Sequence, residues 1–78
     1  MSNPPRGPQP PKLLFEFIRA SDHAPMSCDL RFNGEPYGWE VQFFVRGELF
    51  VSHGAFLTRK QAVGWATLER AAMEKGVV

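Results

Sequence analysis

The sequence predicts an α+β fold in which a small antiparallel sheet of three or four strands, a meander, packs one face against a C-terminal helix. Two segments alternate apolar and polar residues as half-buried strands do, and residues 58–75 carry apolar residues at helical spacing. Glycines lie between these segments, where turns are expected. The chain has 78 residues, which is enough for one domain but not for two. We expect residues 1–12 to form a disordered tail and residues 13–78 to form the domain.

The first 12 residues hold five of the seven prolines and no large apolar residue after Met1. Proline lacks a backbone N–H, so this segment is predicted to be disordered and partly polyproline II. Residues 13–18 are short and strongly apolar, which is compatible with a strand or with a helix. Their length and their aromatic content favour a strand. Residues 21–25 predict a loop, because Pro25 follows several small polar residues.

Two strands follow from strict alternation. Residues 28–32 place Cys28, Leu30 and Phe32 on one face, and residues 39–45 predict a second strand of the same kind. The inward residues of that second strand are Trp39, Val41, Phe43 and Val45. Residues 33–38 are a turn region, Gly47 supplies a tight hairpin turn, and residues 49–57 are the next strand.

The closing helix is predicted from Thr58 to about Lys75. Thr58 and Gln61 have the spacing of a capping box, in which the threonine hydroxyl accepts a hydrogen bond from the first turn. Gly76 is a typical C-cap residue. At 100° per residue, one broad arc collects the residues expected to face the sheet: Ala62, Trp65, Ala66, Leu68, Ala72 and Met73. Glu69 also falls in this arc, and we expect it to leave the core or to reach an arginine such as Arg31.

The hairpin around Gly47 decides which side chains of the two flanking strands share a face. A two-residue loop pairs odd positions of the first strand with even positions of the second. A longer loop would swap the faces of the second strand. The two-residue loop predicts that the following residues lie beneath the helix: Phe50, Ser52, Gly54 and Phe56.

The same pairing predicts an apolar patch on the outer face of the sheet. Phe44, Leu49 and Val51 would form this patch, and Glu40 and Arg46 would lie at its rim. Monomeric proteins rarely expose contiguous apolar patches, which are typical of binding surfaces. Residues 13–18, a second copy of the chain or another partner could cover it.

Few side chains in the sequence suggest catalysis or metal binding. Cys28, His23 and His53 lack the close pairing of a structural zinc site, and no oxyanion-hole signature accompanies Cys28. We expect a protein that is not an enzyme, with no metal, no cofactor and no small-molecule substrate. The single cysteine predicts a reducing, cytoplasmic environment. No segment has the pattern of a signal peptide or the length of a membrane span, so we expect no membrane contact.

The segment GWEVQ at residues 38–42 is followed by a hairpin glycine, by FLTRKQA at residues 56–62 and by Trp65. Over residues 38–70 this arrangement resembles the AP2-like amino-terminal domain of phage-type integrases. The resemblance implies a three-stranded sheet packed on one helix, with the open sheet face in a DNA groove. The positions that would then face DNA are Glu40, Gln42, Phe44, Arg46, Leu49, Val51 and His53. Gln42 and Arg46 suit DNA contacts, whereas Glu40, Leu49 and Val51 do not.

Two functions are therefore compatible with the sequence. The net charge is +1, from nine Lys and Arg against eight Asp and Glu, and gives no broad field that attracts nucleic acid. We expect a non-catalytic protein-interaction module, a homodimer formed through the outer sheet face or an edge strand. Its interface residues would be Phe44, Leu49, Val51, Arg46 and Glu40. The alternative is a DNA- or RNA-binding protein that uses the open sheet face, with Arg31, Gln42, Arg46, Arg59 and Lys60.

Overall fold

The computed structural model describes residues 7–76 and contains one antiparallel sheet and one helix. The strands are β1 (Lys12–Ile18), β2 (Pro25–Phe32), β3 (Trp39–Val45) and β4 (Glu48–Phe56), and they lie in the sheet in chain order. Helix α1 (Arg59–Lys75) follows β4 and packs on one face of the sheet. The predicted α+β class and the meander are confirmed, and residues 13–18 belong to a strand.

The core lies between α1 and the helix side of the sheet. Cys28, Leu30 and Phe32 of β2 are buried there, as their alternation predicts, and they pair with Phe43, Val41 and Trp39 of β3. Burying each large apolar side chain stabilises the fold by roughly 1.5–3 kcal/mol. The helix residues buried against this surface are Ala62, Ala66 and Met73. The two alanines allow the helix to approach the sheet closely.

The hairpin between β3 and β4 has the predicted two-residue loop. Val45 pairs with Glu48, and the loop residues Arg46 and Gly47 have φ angles of 50° and 84°. Two positive φ angles are typical of a type I′ turn, whose twist matches that of the flanking strands.

Two β-bulges in β4 then change the alternation that the loop establishes. Leu49 pairs with Phe44, but Val51 pairs with Phe43, so Phe50 is an extra residue without an opposite partner in β3. A bulge of this kind shifts the residues that follow it to the other face, until a second irregularity restores the original alternation.

A second irregularity follows between His53, which pairs with Val41, and Phe56, which pairs with Trp39. The predicted faces are therefore wrong between the two bulges. Val51 and His53 lie on the helix side, while Ser52 lies opposite Gln42 on the outer side.

Helix α1 has both predicted caps. The Thr58 hydroxyl accepts a hydrogen bond from the Gln61 N–H, the Gln61 side chain accepts one from the Thr58 N–H, and Gly76 adopts φ 79°. The predicted apolar arc is wrong at Leu68, which is 72% exposed. The interpretation that Glu69 reaches Arg31 is also wrong, because Arg31 pairs with Glu40 on the opposite side of the sheet.

The predicted tail is described only from Gly7 onward, and residues 1–6 lie outside the described part. Lys12 already belongs to β1, and the Gln9 N–H donates a hydrogen bond of 2.9 Å to the carbonyl of Phe32. A Cβ on Gly34 would lie within 3.0 Å of the Pro8 nitrogen. The described tail residues therefore lie against the turn that follows β2.

Candidate protein-interaction site

The outer face of the sheet carries only part of the predicted apolar patch. Phe44 and Leu49 lie opposite each other on this face, and Leu49 is 56% exposed. Val51 is absent from the patch because the bulge at Phe50 turns it to the helix side. The structure therefore brings together two of the three predicted apolar residues.

Glu40 and Arg46 do not border one common patch. The Asn33 side-chain amide donates a hydrogen bond of 3.0 Å to the Glu40 carboxylate at the start of β3. Arg46 occupies the hairpin turn just beyond the other end of the strand. The two residues lie six positions apart, which is about 20 Å along an extended chain, since a strand rises roughly 3.3 Å per residue. They lie at opposite ends of the outer face.

The charges on the outer face are mostly negative. The register places the carboxylates of Glu16, Asp29 and Glu40 on this face. Arg31 is the one Lys or Arg that the described strands place there. Such a face repels the phosphate backbone of nucleic acid.

The remaining cations of the predicted nucleic-acid set lie elsewhere. Arg46 is in the hairpin turn, and Arg59 and Lys60 are in the first turn of α1. Of that set, Arg31 and Gln42 share the outer face. The predicted residues do not form one basic surface.

Strand β4 lies at one border of the sheet and pairs only with β3. Eight of its nine residues are exposed, including Leu49, Phe50 (48%) and Val51 (37%). Among the described residues, no backbone hydrogen bond from a turn, a loop or the helix reaches β4. Its outer N–H and C=O groups are therefore available to another strand.

The other border strand, β1, is better protected against such pairing. It begins with Lys12, contains Glu16 in its middle and has an irregular pairing between Leu13 and Phe15. Charged residues in an edge strand disfavour the addition of a further strand. From residue 49 to residue 56, β4 contains no Asp, Glu, Lys, Arg or Pro.

The helix side of β4 continues into an apolar surface on α1. The Trp65 ring stacks on the His53 ring, with centroids 4.8 Å apart and planes at 19°. Leu68 follows Trp65 by three residues and therefore lies on the same side of the helix. We call the exposed residues Leu49, Phe50, Val51 and Leu68, together with the half-buried Trp65, the β4 surface. Phe50 was not predicted as a site residue, because a bulge leaves no clear pattern in the sequence. Trp65 and Leu68 were predicted to face the sheet from the helix, as core residues.

Cys28 is fully buried, and burial raises the pKa of its thiol to about 12, with the charge of Asp29 as a smaller cause. A thiol of this kind is protonated at neutral pH and is a poor nucleophile. Within residues 7–76, no three His, Cys, Asp or Glu side chains converge as metal ligands.

A cleft of about 190 Å³ lies between the start of β1 and the start of α1, lined by Lys12, Leu14, Trp39 and Arg59 among others. Typical small-molecule sites occupy roughly 300–1,000 Å³. The helix of the described part is neither long nor apolar enough to cross a membrane.

Comparisons with protein-family models, with curated proteins and with solved structures found no match for this chain.

Proposed function

We propose that this protein is a non-catalytic protein-interaction module that binds an extended segment of a partner chain along the free edge of β4. The observation that carries this proposal is the open edge of β4, whose exposed middle contains no Asp, Glu, Lys, Arg or Pro. Strand addition of this kind obtains its affinity from backbone hydrogen bonds and its specificity from alternate side chains.

The β4 surface offers side-chain contacts on both faces of an added strand. On the helix side, residues of the added strand would extend over Val51, Trp65 and Leu68. On the outer side they would meet Leu49, which packs beside Phe44. Removing such partly exposed apolar area from water contributes about 25 cal/mol per Å².

The geometry favours a protein over nucleic acid as the partner. Three carboxylates against one arginine on the outer face oppose the approach of phosphates. The resemblance to the integrase domain concerns this same face, and it remains a prediction without a basic surface to support it.

A synthetic peptide with the sequence of residues 47–57 serves as the probe of strand addition. It is titrated into ¹⁵N-labelled protein at low micromolar concentration while amide resonances are followed. We expect saturable shifts in the β4 amides, the Trp65 indole N–H and Leu68, because these groups border the added strand. The β4 amides that point away from β3 should become protected from hydrogen exchange.

The variant Val51→Lys places a charge at the middle of β4 and should abolish these shifts. Leu13→Lys is the matched control, because Leu13 is 58% exposed on the other border strand. Binding that survives Val51→Lys but is lost in Leu13→Lys would assign the function to β1. The absence of any saturable shift, in protein that sediments as a monomer at the same concentration, would overturn the proposal.

A further inference from the structure

We infer that the strand bound at β4 is β4 of a second copy of this chain, in an antiparallel pairing centred on Ser52. This inference rests on the proposed function, and it specifies the partner. A twofold axis through the pairing would join two sheets into one continuous sheet, with both helices on the same side. Such an interface is isologous, so the same residues contact one another in both directions.

The irregularities of β4 flank Ser52 on both sides. The strand Glu48–Phe56 has nine residues, and Ser52 is the central one. The first bulge leaves Phe50 without a partner, and the second lies between His53 and Phe56, where Gly54 is the first residue. Phe50 and Gly54 lie two residues on either side of Ser52. Antiparallel self-pairing about Ser52 would set the regular segment 51–53 against itself and Phe50 of one copy opposite Gly54 of the other.

The side chains on the helix side are compatible with this pairing. Val51 of one copy would lie opposite His53 of the other, beside the Trp65 ring that stacks on that histidine. Leu68, 72% exposed on the flank of α1, would turn toward the twofold axis from both copies. The pairing would thus cover Val51 and Leu68, which are exposed in each copy, and the open part of the half-buried Trp65 ring. Phe50 is 48% exposed, and its ring already lies under the Arg19 guanidinium at 5.2 Å.

The charges at the two ends of β4 are also complementary. Glu48 begins the strand, and Arg59 and Lys60 come shortly after its end, in the first turn of α1. That turn contains no acidic residue, although the helix dipole favours negative charge there. Antiparallel pairing opposes Glu48 of one copy to Phe56 of the other. This brings each glutamate toward the basic helix start of its partner.

Cross-linking tests the register directly. Ser52→Cys, treated with a short bismaleimide, should give a covalent dimer in high yield, because opposed residues have Cβ atoms about 5 Å apart. Gln42→Cys is the matched control on the same face. Gln42 pairs with Ser52 one strand farther from the axis, so two copies would hold it roughly 14 Å apart, three strand spacings. The native Cys28 is fully buried and should not react.

Sedimentation equilibrium of the unmodified chain measures the mass of the species in solution and so distinguishes a monomer from a dimer. A dimer together with efficient cross-linking at position 52 and little at position 42 would support the inference. Strong cross-linking at position 42 instead would indicate face-to-face association and would overturn it. A monomer at high micromolar concentration would overturn it as well. If the peptide still binds to that monomer, strand addition at β4 stands and only the second copy as partner is excluded.

Discussion

At the scale of single residues, one close approach of backbone to backbone constrains the sequence most. Gly38 has φ 77° immediately before β3, and a Cβ there would overlap the carbonyl oxygen of Phe56 at the end of β4. Position 38 therefore needs a residue that adopts a left-handed backbone conformation and that has no Cβ, and glycine meets both conditions. Gly64 is under no such steric restriction, because it lies in α1 and an added Cβ would meet nothing within 4 Å.

Gly38→Ala should lower the free energy of unfolding by about 2 kcal/mol or more, because the strain and the overlap cannot both relax without moving β4. Gly64→Ala should raise it by roughly 0.5–1 kcal/mol through the smaller backbone entropy of alanine. Urea unfolding followed by tryptophan fluorescence measures both. Equal and small effects of the two substitutions would contradict the close approach at Gly38.

At the scale of elements, the start of α1 depends on a reciprocal pair of hydrogen bonds. The Thr58 hydroxyl accepts from the Gln61 N–H at 3.1 Å, and the Gln61 side chain accepts from the Thr58 N–H at 3.3 Å. These bonds satisfy backbone donors that the helix itself leaves free. The first turn has no acidic residue that could compensate for their loss.

Thr58→Ala should therefore destabilise the protein by roughly 0.5–2 kcal/mol. Thr67→Ala is the matched control, since Thr67 is exposed within α1 and its hydroxyl only donates to the Val63 carbonyl. Alanine has the higher helix propensity, so this control should be neutral or slightly stabilising. Thermal unfolding by circular dichroism compares the two variants. A loss in Thr67→Ala as large as that in Thr58→Ala would argue against a specific role of the cap.

The elements could be predicted from the sequence because their signals are local. Alternation identifies the buried residues of β2, and the Thr58–Gln61 spacing identifies the helix start. The faces of β4 could not be predicted between its two bulges, whereas Phe56 lies on the helix side as predicted. The extra residue at Phe50 changes neither the composition nor the turn, and the bulge is defined only by the pairing with β3. Val51 was consequently assigned to the wrong face. Trp65 and Leu68 were assigned to the core by helical periodicity, so their contribution to a surface beside β4 was missed.

At the scale of the whole molecule, the two borders of the sheet are unequal. Charges protect β1, whereas residues 49–56 of β4 contain no Asp, Glu, Lys or Arg. A domain of this size buries only roughly 60% of the surface that its unfolded chain exposes, so its own core provides limited stability. A second copy bound at β4 would add apolar contacts that the single chain lacks.

Self-association at β4 predicts that thermal stability depends on protein concentration. Because the dimer forms from folded chains only, mass action shifts the unfolding equilibrium toward the folded state as concentration rises. We expect the unfolding midpoint of the unmodified chain to increase steadily across a hundredfold range of concentration. Val51→Lys should remove this dependence while retaining the fold, since its long stem can extend past the edge of the sheet into water. Leu13→Lys should keep the dependence, because it changes the other border strand. A midpoint that stays constant for all three proteins would show that the stability of this domain resides in the single chain.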